Sequence, residues 1–163
     1  MKLIADEMIM LLGLPEHDDN ILDILEYIGE DSETIEINSE KVEEKYGFLF
    51  SFDYEILTEK QKKDTSGAKF LNQISFTYMF EKLPLNLNDT DNYNTIVKKL
   101  GIDAKYICQD DKNTLYWMFK EKGYMLVIIF EDERLEEVYE LIFNTYEEIT
   151  SGVKLFIPKK ENT

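Results

Sequence analysis

The sequence predicts an α+β protein, a mainly antiparallel sheet with short helices packed against it. Two observations lead to this class. Apolar residues recur at helical spacing ahead of glycine stops near the start and again near residue 100, while long aromatic-rich runs elsewhere alternate with a period of two. The composition also supplies a core, since 44% of the residues are hydrophobic and 13% aromatic, far from the profile of a disordered chain. At 163 residues, one core is the default. The predicted domain is therefore 1–158, with 159–163 as a frayed tail.

Ile4, Met8, Leu11 and Leu12 predict a first helix, with Gly13 as its stop and Pro15 beyond. Asp18, Asp19 and Asn20 then offer cap oxygens to a second helix, whose stripe is Ile21, Leu22, Leu25 and Ile28 and whose stop is Gly29. Glu30 to Lys45 is polar and acidic, and reads as a loop around a short strand at Thr34 to Ile37.

Tyr46, Phe48, Phe50, Phe52, Tyr54 and Ile56 alternate with Ser51, Asp53 and Glu55, which is the pattern of a half-buried strand. Thr58 to Lys69 is charged and turn-rich, and predicts a mobile surface connection. Alternation resumes from Phe70 to Phe80, in a strand that pairs antiparallel with the one before, and Leu83-Pro84 ends it because proline lacks the ladder donor.

Asn88 to Asp91 cap a helix carrying Ile96, Val97 and Leu100, which Gly101 ends. Strands follow at Lys105 to Gln109, Thr114 to Lys120 and Gly123 to Phe130. The last two are joined by the hairpin signal Glu121-Lys122-Gly123. The last is almost wholly apolar, as expected of a central strand buried on both faces. Leu135 to Phe143 fits both helix and strand periods and is assigned as a strand, with a further short strand at Val153 to Ile157.

Similar glycine stops after Leu11-Leu12 and Lys99-Leu100, and similar strand openings at Tyr46-Gly47-Phe48 and Lys122-Gly123-Tyr124, leave room for two related lobes, 1–57 and 88–143.

Charge sets the expected partners. Thirty-four Asp and Glu face 18 Lys and Arg, for a formal charge of −16, and Arg134 is the sole arginine. Such a chain repels nucleic acid and anionic membranes, and its field speeds the approach of a basic protein. An acidic character also serves solubility alone. Cys108 is the only cysteine, so no intrachain disulfide is expected, and Asp110 and Asp111 beside it supply no cation to activate a thiol. Asp6 and Glu7 interrupt any signal-peptide core, and the longest apolar run, Tyr124 to Phe130, is too short to span a bilayer. A cytoplasmic protein is expected.

Catalytic motifs are sparse. His17 is the only histidine, so neither a multi-imidazole metal site nor a Ser/His/Asp arrangement with a nucleophile motif is indicated. No GxxxxGK[ST] or GxGxxG run cradles phosphate. Asp89-Thr90-Asp91 begins like a calcium loop but has Asn94 where glycine is needed and Leu100 where a bidentate Glu belongs. Trp117 with Tyr116 and Phe119 lacks the interleaved cations of a base-stacking platform and reads as core. No cofactor and no metal are expected, and the chain is not expected to be an enzyme.

The order of several segments resembles a known family. Leu11 to Gly13 is followed by an acidic helix, then by Tyr-Gly-Phe-Leu-Phe-Ser-Phe-Asp (Tyr46 to Asp53) and Phe-Glu-Lys-Leu-Pro-Leu-Asn-Leu (Phe80 to Leu87). After the helix ending at Leu100-Gly101 come Leu-Tyr-Trp-Met-Phe (Leu115 to Phe119) and Gly-Tyr-Met-Leu-Val-Ile-Ile-Phe-Glu-Asp (Gly123 to Asp132). Over Met8 to Phe143 the chain is similar to the immunity proteins of bacterial polymorphic toxin systems, including those of contact-dependent growth inhibition and type VI secretion. It departs from them at Asn86, where related sequences commonly carry glycine, although asparagine tolerates the same turn.

The resemblance implies a cytosolic antitoxin that binds a cognate secreted toxin domain, often a nuclease, and blocks its active site. A nuclease is basic because its substrate is a polyanion, and an acidic inhibitor fits that surface. The acidic runs then become the candidate contacts: Glu30, Asp31, Glu33 and Glu36; Asp110 and Asp111; Glu131, Asp132, Glu133, Glu136 and Glu137. The alternative from charge alone is an acidic nucleic-acid mimic or regulatory adaptor that binds DNA-binding proteins.

Overall fold

A computed structural model of the chain describes residues 1–104, 106–108, 114–130, 138–145 and 155–156. It is an α+β fold. Helices α1 (Ala5–Ile9), α2 (Asp19–Ile28), α3 (Thr34–Ile37) and α4 (Ser39–Tyr46) precede strand β1 (Phe48–Asp53). Helix α5 (Glu59–Lys62), β2 (Phe70–Thr77), α6 (Tyr93–Leu100), β3 (Tyr106–Cys108), β4 (Thr114–Phe119), β5 (Tyr124–Phe130), β6 (Val138–Thr145) and β7 (Leu155–Phe156) follow. The strands form one sheet in the order β1-β2-β6-β5-β4-β3-β7, antiparallel throughout. Residues of 1–57 and 88–143 thus contribute to the same sheet.

One face of that sheet carries the core. Phe48, Phe50, Ile74, Phe76, Leu141, Phe143, Leu126, Ile128, Leu115 and Trp117 are buried there against the helices, whose inward residues are Met8, Ile21, Leu25, Ile35, Val42 and Ile96. Phenylalanines interlock edge to face, with ring centroids 5.2 Å apart for Phe48 and Phe50 and 5.9 Å for Phe76 and Phe143. Each such ring, once buried, stabilises the fold by about 1.5–3 kcal/mol. Strand β5 is the middle of the seven and is buried at every position but Ile129, in keeping with the apolar run. Trp117 is fully buried, its Nε1 donating to the Ile102 carbonyl at 3.3 Å, so it is core, as its acidic flanks indicate.

Several elements follow the sequence reading. Asp18 caps α2 by accepting from the Asn20 and Ile21 N–H groups, and Gly29 ends it at φ 74°. Gly101 ends α6 in the same way. Strands β1 and β2 pair antiparallel, β4 and β5 form the hairpin at Gly123, and β6 forms over the described part of Leu135 to Phe143. No described helix is long and apolar enough to cross a membrane.

Other elements differ. Thr34 to Ile37 is helical, and Glu30 to Lys45 is two short helices instead of a loop around a strand. The Asp31 carboxylate accepts from the Glu33 and Thr34 N–H groups at 2.9 and 2.8 Å, which starts a helical turn that two alternating isoleucines cannot override. Tyr46 belongs to α4, so the strand begins two residues later.

Thr58 to Lys69 is not a free connection either. Thr58 and Gln61 form a capping box around α5, and Gln61 is only 2% exposed. Its Nε2 donates to the Gly13 carbonyl at 3.1 Å and to Asn72 Oδ1 at 2.8 Å, and its Oε1 accepts from the Leu57 N–H at 2.7 Å. Asn72 is the extra residue of a bulge in β2, opposite the step from Ser51 to Phe52, and its amide also reaches Asp53 and the Glu55 carbonyl.

Strand β2 stops at Thr77, before Phe80, where the chain turns across Gly47. The cap of α6 is Asn92, whose Oδ1 accepts from the Thr95 N–H at 3.0 Å. Asp91 is instead buried, accepting from the Asn88 N–H and pairing with Lys99 at 2.8 Å. Leu22 of the predicted stripe is 46% exposed, and Ile24 is buried on α2 with Ile21 and Leu25.

The turn after Leu83-Pro84 bears on the family resemblance. Leu85 and Asn86 both adopt positive φ, 58° and 61°. Asparagine tolerates this conformation, but leucine adopts it at a cost of about 1–2 kcal/mol. The turn is held from both sides, by Asp6 accepting from the Leu85 N–H at 2.8 Å and by Lys99 Nζ donating to the Asn86 carbonyl at 2.8 Å.

Candidate protein-interaction surface

The four acidic candidates of the described region meet on α3 and its approach. Gly29 turns the chain out of α2, and the Glu30 N–H returns to the Leu25 carbonyl at 3.0 Å. The Glu30 carboxylate spans α3 and accepts from the Asn38 amide at 2.9 and 3.2 Å, a contact that holds its pKa below the ordinary value. Asp31 is likewise held down, chiefly by the Thr34 N–H. These two carboxylates fix the helix. Asp31, Glu33 and Glu36 are exposed and Glu30 is half-buried, and Glu33 and Glu36 are the two whose carboxylates are not engaged in holding the helix.

Between them and α4 stands Ile37, 81% exposed, while Ile35 two residues earlier is fully buried. Helix α4 buries Val42 and presents Glu40 and Glu44 to solvent, with Glu43 half-buried. Seven carboxylates lie between Glu30 and Lys45, against the two lysines Lys41 and Lys45.

A surface hollow of about 330 Å³ separates α4 from the end of β2. Ser39, Glu40, Glu43 and Glu44 line one side, and Thr77, Tyr78 and Met79 the other. Tyr78 and Met79 are 54% and 45% exposed. The close approach of these two segments depends on Gly47, because a Cβ there would lie 2.7 Å from the Met79 carbonyl carbon and closer still to the Phe80 nitrogen. Glu140 of β6 sits opposite Thr77 in the sheet. Burial raises its pKa and the charge of Glu43 raises it further, while burial alone raises that of Glu43. The surface thus combines exposed apolar side chains with carboxylates that repel one another, an arrangement that favours an incoming cation.

Sequence reasoning had no grounds to join Glu40, Glu43 and Glu44 to this surface while 30–45 was read as a loop. Their helical spacing around Val42 was the available signal. Tyr78, Met79 and Glu140 were missed because only the fold sets the end of β2 beside α4 and Glu140 opposite Thr77, and Ile37 because its segment reads as a strand. Asp110, Asp111, Glu131, Asp132, Glu133, Glu136 and Glu137 lie outside the described residues.

Among the described residues, no three of His, Cys, Asp and Glu are grouped to hold a metal ion. No family model, curated protein or solved structure matches this chain.

Proposed function

We propose that this chain is an immunity protein that acts in the cytoplasm, binding a cognate secreted toxin domain, a basic nuclease, and neutralising it by covering its active site. The observation that carries the reading is the joined surface of α3 and α4, where exposed Ile37 stands among Glu33, Glu36, Glu40 and Glu44 in a chain of charge −16. An apolar anchor surrounded by carboxylates suits a partner that must present cations around its own active site. The resemblance of the order of segments to that of immunity proteins supports the same reading. Within this surface Glu30 and Asp31 hold α3 in place, and Glu33, Glu36, Glu40 and Glu44 meet the partner.

Co-expression with a basic nuclease toxin domain, sought first among the products of the genes flanking its own, tests the proposal. The chain should restore growth and co-purify with the toxin. Ile37→Asp should weaken the complex by about tenfold or more, as loss of a central apolar anchor does. Unrescued growth together with failure to co-purify overturns the reading.

A further inference from the structure

The sheet has a second face, opposite the core, to which alternate residues of β2, β6, β5 and β4 point. None of those described there is exposed, and Glu140 is the one that bears a charge, in a chain where 32% of the residues are charged. Met125 and Val127 are buried on this face, at 8% and 6% exposure, yet they stand apart from the core cluster. Ser75 and Thr114 are buried on it too. The described helices bury their inward residues in the core, on the other side of the sheet.

The connections between strands decide what covers this face. Neighbouring strands are antiparallel throughout, so strands four places apart run parallel. Two connections join such pairs. The one from β2 to β3 passes through α6, which packs on the core side, with Ile96 in the core and the Tyr93 ring 6.2 Å from that of Trp117. The one from β6 to β7 is made by residues 146–154, which lie outside the described residues. Both move four places in the same direction across the sheet, but β6 runs opposite to β2. Connections between parallel strands of one sheet take the right hand, because strand twist favours it. Equal hand with opposite strand direction puts the two connections on opposite faces. Reach agrees. Strand β7 lies four strand spacings from β6, about 19 Å. Thr145 stands level with Tyr124 and Phe119, whereas Leu155, opposite Cys108, stands level with the start of β4, about 17 Å farther along the strands. A diagonal of about 25 Å must be spanned by a link whose fully extended reach is about 33–36 Å, which allows a direct crossing with little slack.

We propose that the helix-free face is a docking surface for this chain's own segment 146–154, which crosses it from the end of β6 to the start of β7. The segment carries Tyr146, Ile149 and Val153, apolar groups that suit the cover of Met125 and Val127. A partner then finds this face taken, and meets the chain on its helical side or at its edges. The inference does not depend on the toxin reading.

The test places a nitroxide on the segment and reads the methionine methyl groups of the full chain. Thr150→Cys in a Cys108→Ser background carries the label, and Ser151→Cys in the same background serves as a second site. Met118 and Met125 report the helix-free face, Met8 and Met10 the helical side. With the nitroxide oxidised, the methyl signals of Met118 and Met125 should lose most of their intensity relative to the reduced sample, while those of Met8 and Met10 keep theirs. A reduced-sample spectrum that overlays that of the unaltered chain confirms that the fold persists. Unlabelled chain bearing the nitroxide, mixed with methyl-labelled chain lacking it, should produce no loss. Loss centred on Met8 and Met10, or no loss at Met118 and Met125 from either site, overturns the proposal. Loss at Met118 and Met125 in the mixed sample also overturns it, because the face then binds a second copy.

Discussion

At the scale of single residues, the folded chain is most sensitive where backbone and side chain leave no alternative. Gly29 and Gly47 share φ 74° and both end a helix, yet their surroundings differ. A Cβ at Gly29 meets nothing within 4 Å, whereas one at Gly47 collides with the backbone of Met79 and Phe80. Gly29→Ala should therefore cost only the left-handed conformation, about 1–2 kcal/mol. Gly47→Ala carries that cost and must also push the turn after β2 away from α4, since backbone cannot give way as a side chain does. It should lower the urea midpoint by at least twice as much as Gly29→Ala. It should also open the hollow beside Met79, which the intrinsic signals of Tyr78 and Tyr46 would report.

At the scale of elements, what the sequence revealed and what it concealed follow from the range of the forces involved. The stripe of Ile21 and Leu25, the Asp18 cap and the Gly29 stop act within one helix, and α2 was legible from them. The alternation of Phe48, Phe50, Ile74 and Phe76 made β1 and β2 equally plain. Helix α3 was misread because Ile35 and Ile37 imitate a strand, while the deciding contacts, Asp31 to Thr34 and Glu30 to Asn38, are side-chain hydrogen bonds that periodicity does not register. The burial of Gln61 was hidden for a different reason: its partners Gly13 and Asn72 lie 48 and 11 residues away.

The packing of α4 toward β6 has a consequence for pH that the sequence also concealed. Glu43 and Glu140 are both raised above the ordinary glutamate value of 4.5, so the folded state holds their protons more tightly than the unfolded state does. Stability therefore falls as pH rises from about 4.5 through their folded values. Glu30, Asp31 and Asp64 are lowered, and their contribution is lost only as pH falls below the ordinary values of 4.5 and 3.8. The two sets act in different pH windows and with opposite sign. Glu140→Gln should raise the urea midpoint at pH 7 and flatten its fall between pH 4.5 and 7. An unchanged slope would show that Glu140 carries no penalty in the fold.

At the scale of the whole molecule, one sheet with its helices on the core face fixes where the charges stand, and the −16 acts over distances that no single contact reaches. Between 0.1 and 1 M salt the screening length falls from about 10 to about 3 Å. If the proposed partner is a basic toxin domain that binds around Ile37, its long-range attraction is lost over that interval while the close contacts persist. The rate of association measured by stopped flow should therefore drop by about tenfold or more, with little change in dissociation. Replacing Glu33, Glu36, Glu40 and Glu44 together by glutamine should slow association at 0.1 M and leave it nearly unchanged at 1 M. Ile37→Asp should behave in the opposite way, speeding dissociation at both salt concentrations, because the contact it removes is short-ranged. If association is flat across the salt range in the unaltered protein, recognition rests on shape and apolar contact, and the acidic surface serves solubility alone.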